Sequence, residues 1–311
     1  MVPNTFIAGA QKSGTSTICA LLGQHPACVL SEPKEPTFFC KVTNLNCIHL
    51  YESYFQQSDK DRSARCIIDG STAYMVDPNV PRRIHDILGD NLYFVFSLRR
   101  AADRTISAYW QMTKKGYEHR EINDALMFEN TGLAEAIIEE EEKIKVAVRS
   151  GLIDITAYVD RYDDPLWNFR YLRNSHYRPD LDRYFKIFPR DRIKVVIFDD
   201  LVIDTLNVMR QIADFLGLDP DLIKATEQTH YNPAKLLRGG DISRKIISFA
   251  RSAPGREVLR KIPGYSVLYN LIYSRKLPSV DENIANRITD IFNPELKNLS
   301  ELIHRDLRMW T

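Results

Sequence analysis

No apolar run in the chain reaches the roughly 18 residues that a membrane-crossing helix needs, so no segment is expected to span a bilayer. Nor does it open on a basic stretch followed by an apolar one; its first residues read as a strand, and a soluble, cytoplasmic protein is expected. Charge of one sign is also lacking. Forty-two Lys and Arg stand against forty-one Asp and Glu, a formal net charge of +1. There is thus no global field to draw the protein to nucleic acid or to an anionic membrane, neither of which is expected as a partner, and any anion site must be local. Cysteine is scarce: Cys19, Cys28, Cys40, Cys47 and Cys66 are odd in number and lack the paired short spacing of zinc sites. They read as reduced, packed thiols, and no metal site is expected. Internal repeats, low-complexity segments and linkers are missing too, and 311 residues with 44% hydrophobic content suffice for one large core, so a single domain over 1–311 is expected.

What is present is an alternation. Apolar, β-prone stretches at Thr5 to Ala8, Cys66 to Ile68, Leu92 to Leu98 and Ile193 to Phe198 precede helical patterns at Ser16 to Gln24, Pro81 to Leu88, Asp103 to Lys115 and Leu201 to Leu216. That order predicts an α/β fold, a parallel sheet flanked by helices, with ligands at the carboxyl ends of the strands. A more irregular helical insertion is predicted at about 116–179. It holds a long helix from Leu133 to Arg149 whose acidic run, Glu139 to Glu142, reads as a solvated face. A basic helical part follows at about 235–311, where ten Lys and Arg between Lys235 and Lys276 face only Asp241 and Glu257.

The most informative stretch is Phe6-Ile7-Ala8-Gly9-Ala10-Gln11-Lys12-Ser13-Gly14-Thr15-Ser16-Thr17. An apolar strand runs into a turn of small residues and then a helix, so successive N–H groups and the helix's positive end can converge on a phosphate. An ATP-type loop places Lys directly after its last Gly; here Lys12 precedes Gly14 and Thr15 takes the usual Lys position. A second apolar strand, Tyr93 to Leu98, delivers Arg99 at its carboxyl end, and Ser107 follows about two helical turns on, so the two could reach one anion.

The offset lysine resembles the 5′-phosphosulfate loop of the sulfotransferases that use 3′-phosphoadenosine 5′-phosphosulfate (PAPS), and the strand-end Arg with a helix-borne Ser is similar to their 3′-phosphate site. The likeness covers most of the chain: Ser31-Glu32-Pro33-Lys34-Glu35-Pro36-Thr37-Phe38-Phe39 looks like the Lys-Glu segment ahead of paired aromatics in glycan-type members, and Asp69-Gly70-Ser71-Thr72-Ala73-Tyr74 stands where they carry Glu-Lys-Thr-Pro-Ser-Tyr. The resemblance implies PAPS as co-substrate and 3′,5′-phosphoadenosine (PAP) as product, and a small-molecule or saccharide acceptor. It implies that Lys12, Ser13, Gly14, Thr15, Ser16, Thr17, Arg99 and Ser107 bind the nucleotide, with Arg238, Gly239 and Gly240 as a closing basic-Gly loop. Lys12 would stabilise the leaving oxygen and Glu35 would be the base, with Asp69 in reserve. The pattern departs at Gly70, where glycan-type members have Lys, and neither Lys nor His lies between Asp69 and Tyr74. His176 and His230 are spare titratable groups. A P-loop kinase or ATPase, with Asp69 or Asp199 as metal carboxylate, and a non-catalytic nucleotide- or glycan-binding protein are the competing readings.

Overall fold

The computed structural model describes residues 1–55, 64–224 and 280–311, together with the backbone of two short antiparallel strands, Lys235–Leu236 and Arg275–Lys276. At its centre β1 (Thr5–Gly9) is flanked by β3 (Cys66–Asp69) and β4 (Tyr93–Leu98), with β2 (Cys28–Leu30) and β5 (Ile193–Ile197) outside them. The order is β2-β3-β1-β4-β5 and every pairing is parallel. A parallel sheet is covered on both faces, which is why these strands read as near-continuous apolar runs. Alternate residues serve opposite cores. Phe6, Ala8, Phe94 and Phe96 face a large aromatic core in which the Phe6 and Phe94 rings stack at 5.1 Å. Ile7 and Val95 face a smaller aliphatic one.

The helices are α1 (Thr15–Leu22), α2 (Ile48–Ser53), α3 (Val80–Leu88), α4 (Ala101–Lys115), α5 (Ile122–Leu126), α6 (Leu133–Arg149), α7 (Tyr177–Ile187), α8 (Phe198–Ile203), α9 (Thr205–Phe215) and α10 (Glu282–Ile303). Helices α1 and α9 line the aliphatic side; α4, α7 and α10 pack together on the aromatic side. The chain turns outward in opposite directions from β1 and β4, so the crevice at their carboxyl ends is the sheet's switch point.

Three sequence expectations need correction. The helix expected from Leu201 to Leu216 is two, broken at Asp204, whose side chain leaves the helix ladder to accept the Asn207 N–H at 3.0 Å as the cap of α9. The short strand β2 was not anticipated. The acidic run on α6 is not a solvated face throughout: Glu140 is fully buried and accepts the Leu172 and Arg173 N–H groups, Glu139 accepts those of Glu129 and Asn130, and Glu141 pairs with Arg170. Only Glu142 is spent on an exposed pair with Lys145. Among the described residues no helix is long and apolar enough to cross a membrane.

Candidate active site

The loop between β1 and α1 is shaped by two residues of positive φ. Gly14, just before α1, has φ 82°, and a Cβ there would stand 2.8 Å from Leu201 Cδ2 and 3.0 Å from the Phe198 ring, so both conformation and space require glycine. Lys12 adopts φ 72° without that freedom, the kind of backbone strain that collects at functional loops. Strand β4 holds the loop in place: the Ala10 N–H donates to the Ser97 carbonyl at 2.9 Å, and the Ser97 hydroxyl donates to the Ser13 carbonyl. Ser13 and Thr15 are buried, and Ser16 and Thr17 begin α1 half-buried.

Burial, then the charge of Arg99 and those of Lys115, Lys114 and Arg104, lower the Lys12 ammonium from about 10.5 to about 8. The groups acting on it most strongly are therefore cations, in a chain whose net charge is only +1. Arg99 Nη1 donates to the Lys12 carbonyl at 3.3 Å, its guanidinium lies 4.8 Å from the Phe198 ring centre, and its own carbonyl accepts the Tyr177 hydroxyl at 2.8 Å. Neither Lys12 nor Arg99 has a carboxylate partner among the described residues. Ser107 is half-buried on α4, two turns beyond Arg99. Sequence reasoning missed Arg104: it is fully buried, donates to Ser175 Oγ and to the Tyr171 carbonyl, and leaves Nη1 without a partner. Its one signal was its place a turn before Ser107, facing the same way on α4.

Glu35 lies in the loop after β2. Its Oε1 is 3.1 Å from Lys34 Nζ, its Oε2 accepts the Thr72 hydroxyl at 3.4 Å, and its backbone carbonyl accepts from exposed Arg161 at 3.3 Å. Asp69, at the end of β3, is fully enclosed. Oδ2 accepts the hydroxyls of Tyr51 at 2.7 Å and Tyr74 at 2.9 Å, and Oδ1 accepts the Ser71 N–H at 2.9 Å. Burial raises it to about 6 against the pull of those hydrogen bonds. The half-buried Gln11 of the phosphate loop donates to Asn168 at 2.8 Å, tying the loop to the 116–179 segment. His176 is lowered chiefly by burial and lies 3.9 Å from Glu295. Asp199, the alternative metal carboxylate, accepts the Trp310 indole N–H at 3.0 Å. Arg238, Gly239, Gly240 and His230 lie outside the described residues.

The family model for the sulfotransferase domain matches residues 2–238. Human heparan sulfate glucosamine 3-O-sulfotransferase 5 is 22% identical over 306 residues, covering 98% of this chain and 73% of that protein. The membrane-associated sulfotransferase kil1 of Dictyostelium discoideum is 20% identical, covering 80% of this chain and 62% of that protein. A solved sulfotransferase from Alicyclobacillus acidocaldarius superposes with a TM-score of 0.62 at 23% identity, covering 100% of this chain and 99% of the other, a likeness of fold. With β1, α1 and the loop between them inside the matched span, the chain belongs to the sulfotransferase domain family.

Proposed function

We propose that the chain transfers the sulfuryl group of PAPS to a hydroxyl or amine of a small natural product or saccharide, in a cytoplasmic setting. The observation that carries this reading is the convergence of cations on Lys12 at the carboxyl ends of β1 and β4, joined by the Arg99 to Lys12 hydrogen bond. It supplies a locally positive site in a nearly neutral protein, as an acidic nucleotide with both 5′ and 3′ charge requires.

In this scheme the loop amides from Ser13 to Ser16 hold the 5′-phosphate, the Thr17 N–H being engaged by the Gly14 carbonyl at 2.9 Å and Thr17 contributing its hydroxyl. Arg99 and Ser107 hold the 3′-phosphate, and Arg238, Gly239 and Gly240 close over the nucleotide. Transfer is in-line: the acceptor's oxygen or nitrogen forms a bond to sulfur as the bond from sulfur to the phosphate oxygen breaks, and PAP leaves. Lys12 stabilises the charge that grows on that oxygen. Glu35 accepts the acceptor's proton, being within reach of solvent and holding a carboxylate that is not enclosed. Asp69 is the weaker candidate, since both its oxygens serve buried donors; its work in this reading is to brace the turn that presents Thr72.

Labelled PAPS offered to polar and apolar metabolite extracts tests the proposal. A labelled product formed by the native chain and lost on Lys12→Ala in a single turnover supports it. No labelled product, together with tighter binding of magnesium ATP than of PAP, sinks it in favour of the kinase reading. On the acceptor so found, Glu35→Gln is expected to lower kcat by about 10² to 10⁴ with little change in PAPS affinity.

A further inference from the structure

Gly70 follows β3 directly and is buried, yet its φ lies outside the left-handed region, so its backbone does not demand glycine. Space does. A Cβ at this position would stand 2.8 Å from Cys19 Sγ, 3.2 Å from the Lys34 carbonyl oxygen and 3.3 Å from Lys34 Cγ. What fills the place of a side chain at 70 is thus the stem of Lys34, laid across the end of β3. Its backbone is pinned there: the Lys34 carbonyl accepts the Ser31 hydroxyl at 2.8 Å and the Gly70 N–H at 3.3 Å. Its ammonium ends 3.1 Å from Glu35 Oε1 while Thr72 donates to Oε2, so both carboxylate oxygens are held.

We propose that Lys34 is the positioning cation of the transfer site, reaching Glu35 through the gap that Gly70 leaves and holding its carboxylate in one orientation. This rests on the reading of Glu35 as the base. A half-exposed ion pair between sequence neighbours contributes little to stability by itself; a buried stem, a glycine kept for room and a doubly anchored carbonyl are more than such a pair needs. The charged and titratable groups around it are Cys19 from α1, Asp69 from β3, Glu35 beside it, and Arg161 at the Glu35 carbonyl. Burial alone would lower the Lys34 ammonium, but Cys19, Glu35 and Asp69 together outweigh it and the net shift is upward, so Lys34 keeps its charge across the working range.

The test uses the full chain and [³⁵S]PAPS with water as acceptor, following release of labelled sulfate, alongside PAP affinity by calorimetry. Lys34→Met is expected to slow release tenfold or more, with PAP affinity within about twofold of native. Lys34→Arg restores part of the rate. Gly70→Ala, which keeps the lysine but blocks its path, is expected to resemble Lys34→Met. A Lys34→Met chain with native rate, while Glu35→Gln is slow, overturns the role of Lys34 and leaves Glu35 standing. If Glu35→Gln itself keeps the native rate, the base assignment fails and this inference with it.

Discussion

Lys12 joins a strained backbone to a depressed ammonium. Its value near 8 in the free chain stems first from burial and then from Arg99 and its other cationic neighbours. An anionic nucleotide offsets the charge of those neighbours and so favours the proton on Lys12: calorimetry in buffers of different ionisation heat is expected to show proton uptake on PAP binding between about pH 8 and 9, with affinity falling as pH rises through that range. Lys12→Met should abolish the uptake, and native uptake in that variant would remove Lys12 from the site. For stability the sign is opposite to that of an ion-paired lysine: the folded chain holds fewer protons than the unfolded one between about 8 and 10.5, so this group's contribution grows as pH rises through that window. Lys12 and Arg99 were picked out in the sequence because the offset lysine, the strand-end arginine and Ser107 occur together; an arginine at a strand end is common alone. Arg104 was not, since nothing in a linear pattern tells a buried arginine from a solvated one on the same helix. Gly70 read as a missing cation; only the packing shows that Lys34 occupies its space.

At the level of elements, four of the five strands were legible because burial on both faces writes itself as a continuous apolar run. The three residues of β2 are too few to do so. The break between α8 and α9 was hidden by an apolar periodicity that continues through Asp204, while the capping geometry that interrupts it is local. Helix α10 falls within the part expected to be helical at about 235–311, but its bounds were not read, Pro294 standing inside it. The junction of loop and α1 turns on Gly14. Gly14→Ala must carry a side chain at φ 82° and push into Leu201 and Phe198, the ring that supports Arg99. The left-handed conformation alone costs about 1–2 kcal/mol. A thermal midpoint several degrees lower and a tenfold or greater loss of PAP affinity are expected, both read from one series of melts with and without nucleotide. A loss of stability with PAP affinity intact would separate the glycine from the site.

Across the whole molecule, the segment from 116 to 179 is bound to α4 and to the loop after β1 through polar contacts that composition could not reveal, Arg104 donating to Ser175 and the Tyr171 carbonyl and Gln11 to Asn168. Within the segment Glu140 is fully buried: burial raises it to about 7, although it accepts two N–H groups and feels Arg104. The folded chain then binds more protons at this site than the unfolded chain between about pH 4.5 and 7, so its contribution to stability is lost as pH rises through that window. Glu140→Gln should therefore gain on the native chain in thermal midpoint between pH 5 and pH 7.5; a difference independent of pH would show Glu140 ionised throughout. Around Lys12 the cations Arg99, Lys114, Lys115 and Arg104 gather in a protein whose formal net charge is only +1. The most direct test of their purpose is calorimetric binding of PAP, adenosine 5′-phosphate and magnesium ATP to the native chain and to Arg99→Ala. Native protein is expected to prefer PAP to adenosine 5′-phosphate by tenfold or more, a charged hydrogen bond to the 3′-phosphate being worth about 1.5–3 kcal/mol, and Arg99→Ala should narrow that ratio. A native chain that binds magnesium ATP more tightly than PAP, or a ratio that Arg99→Ala leaves unchanged, would contradict the assignment of this site to PAPS.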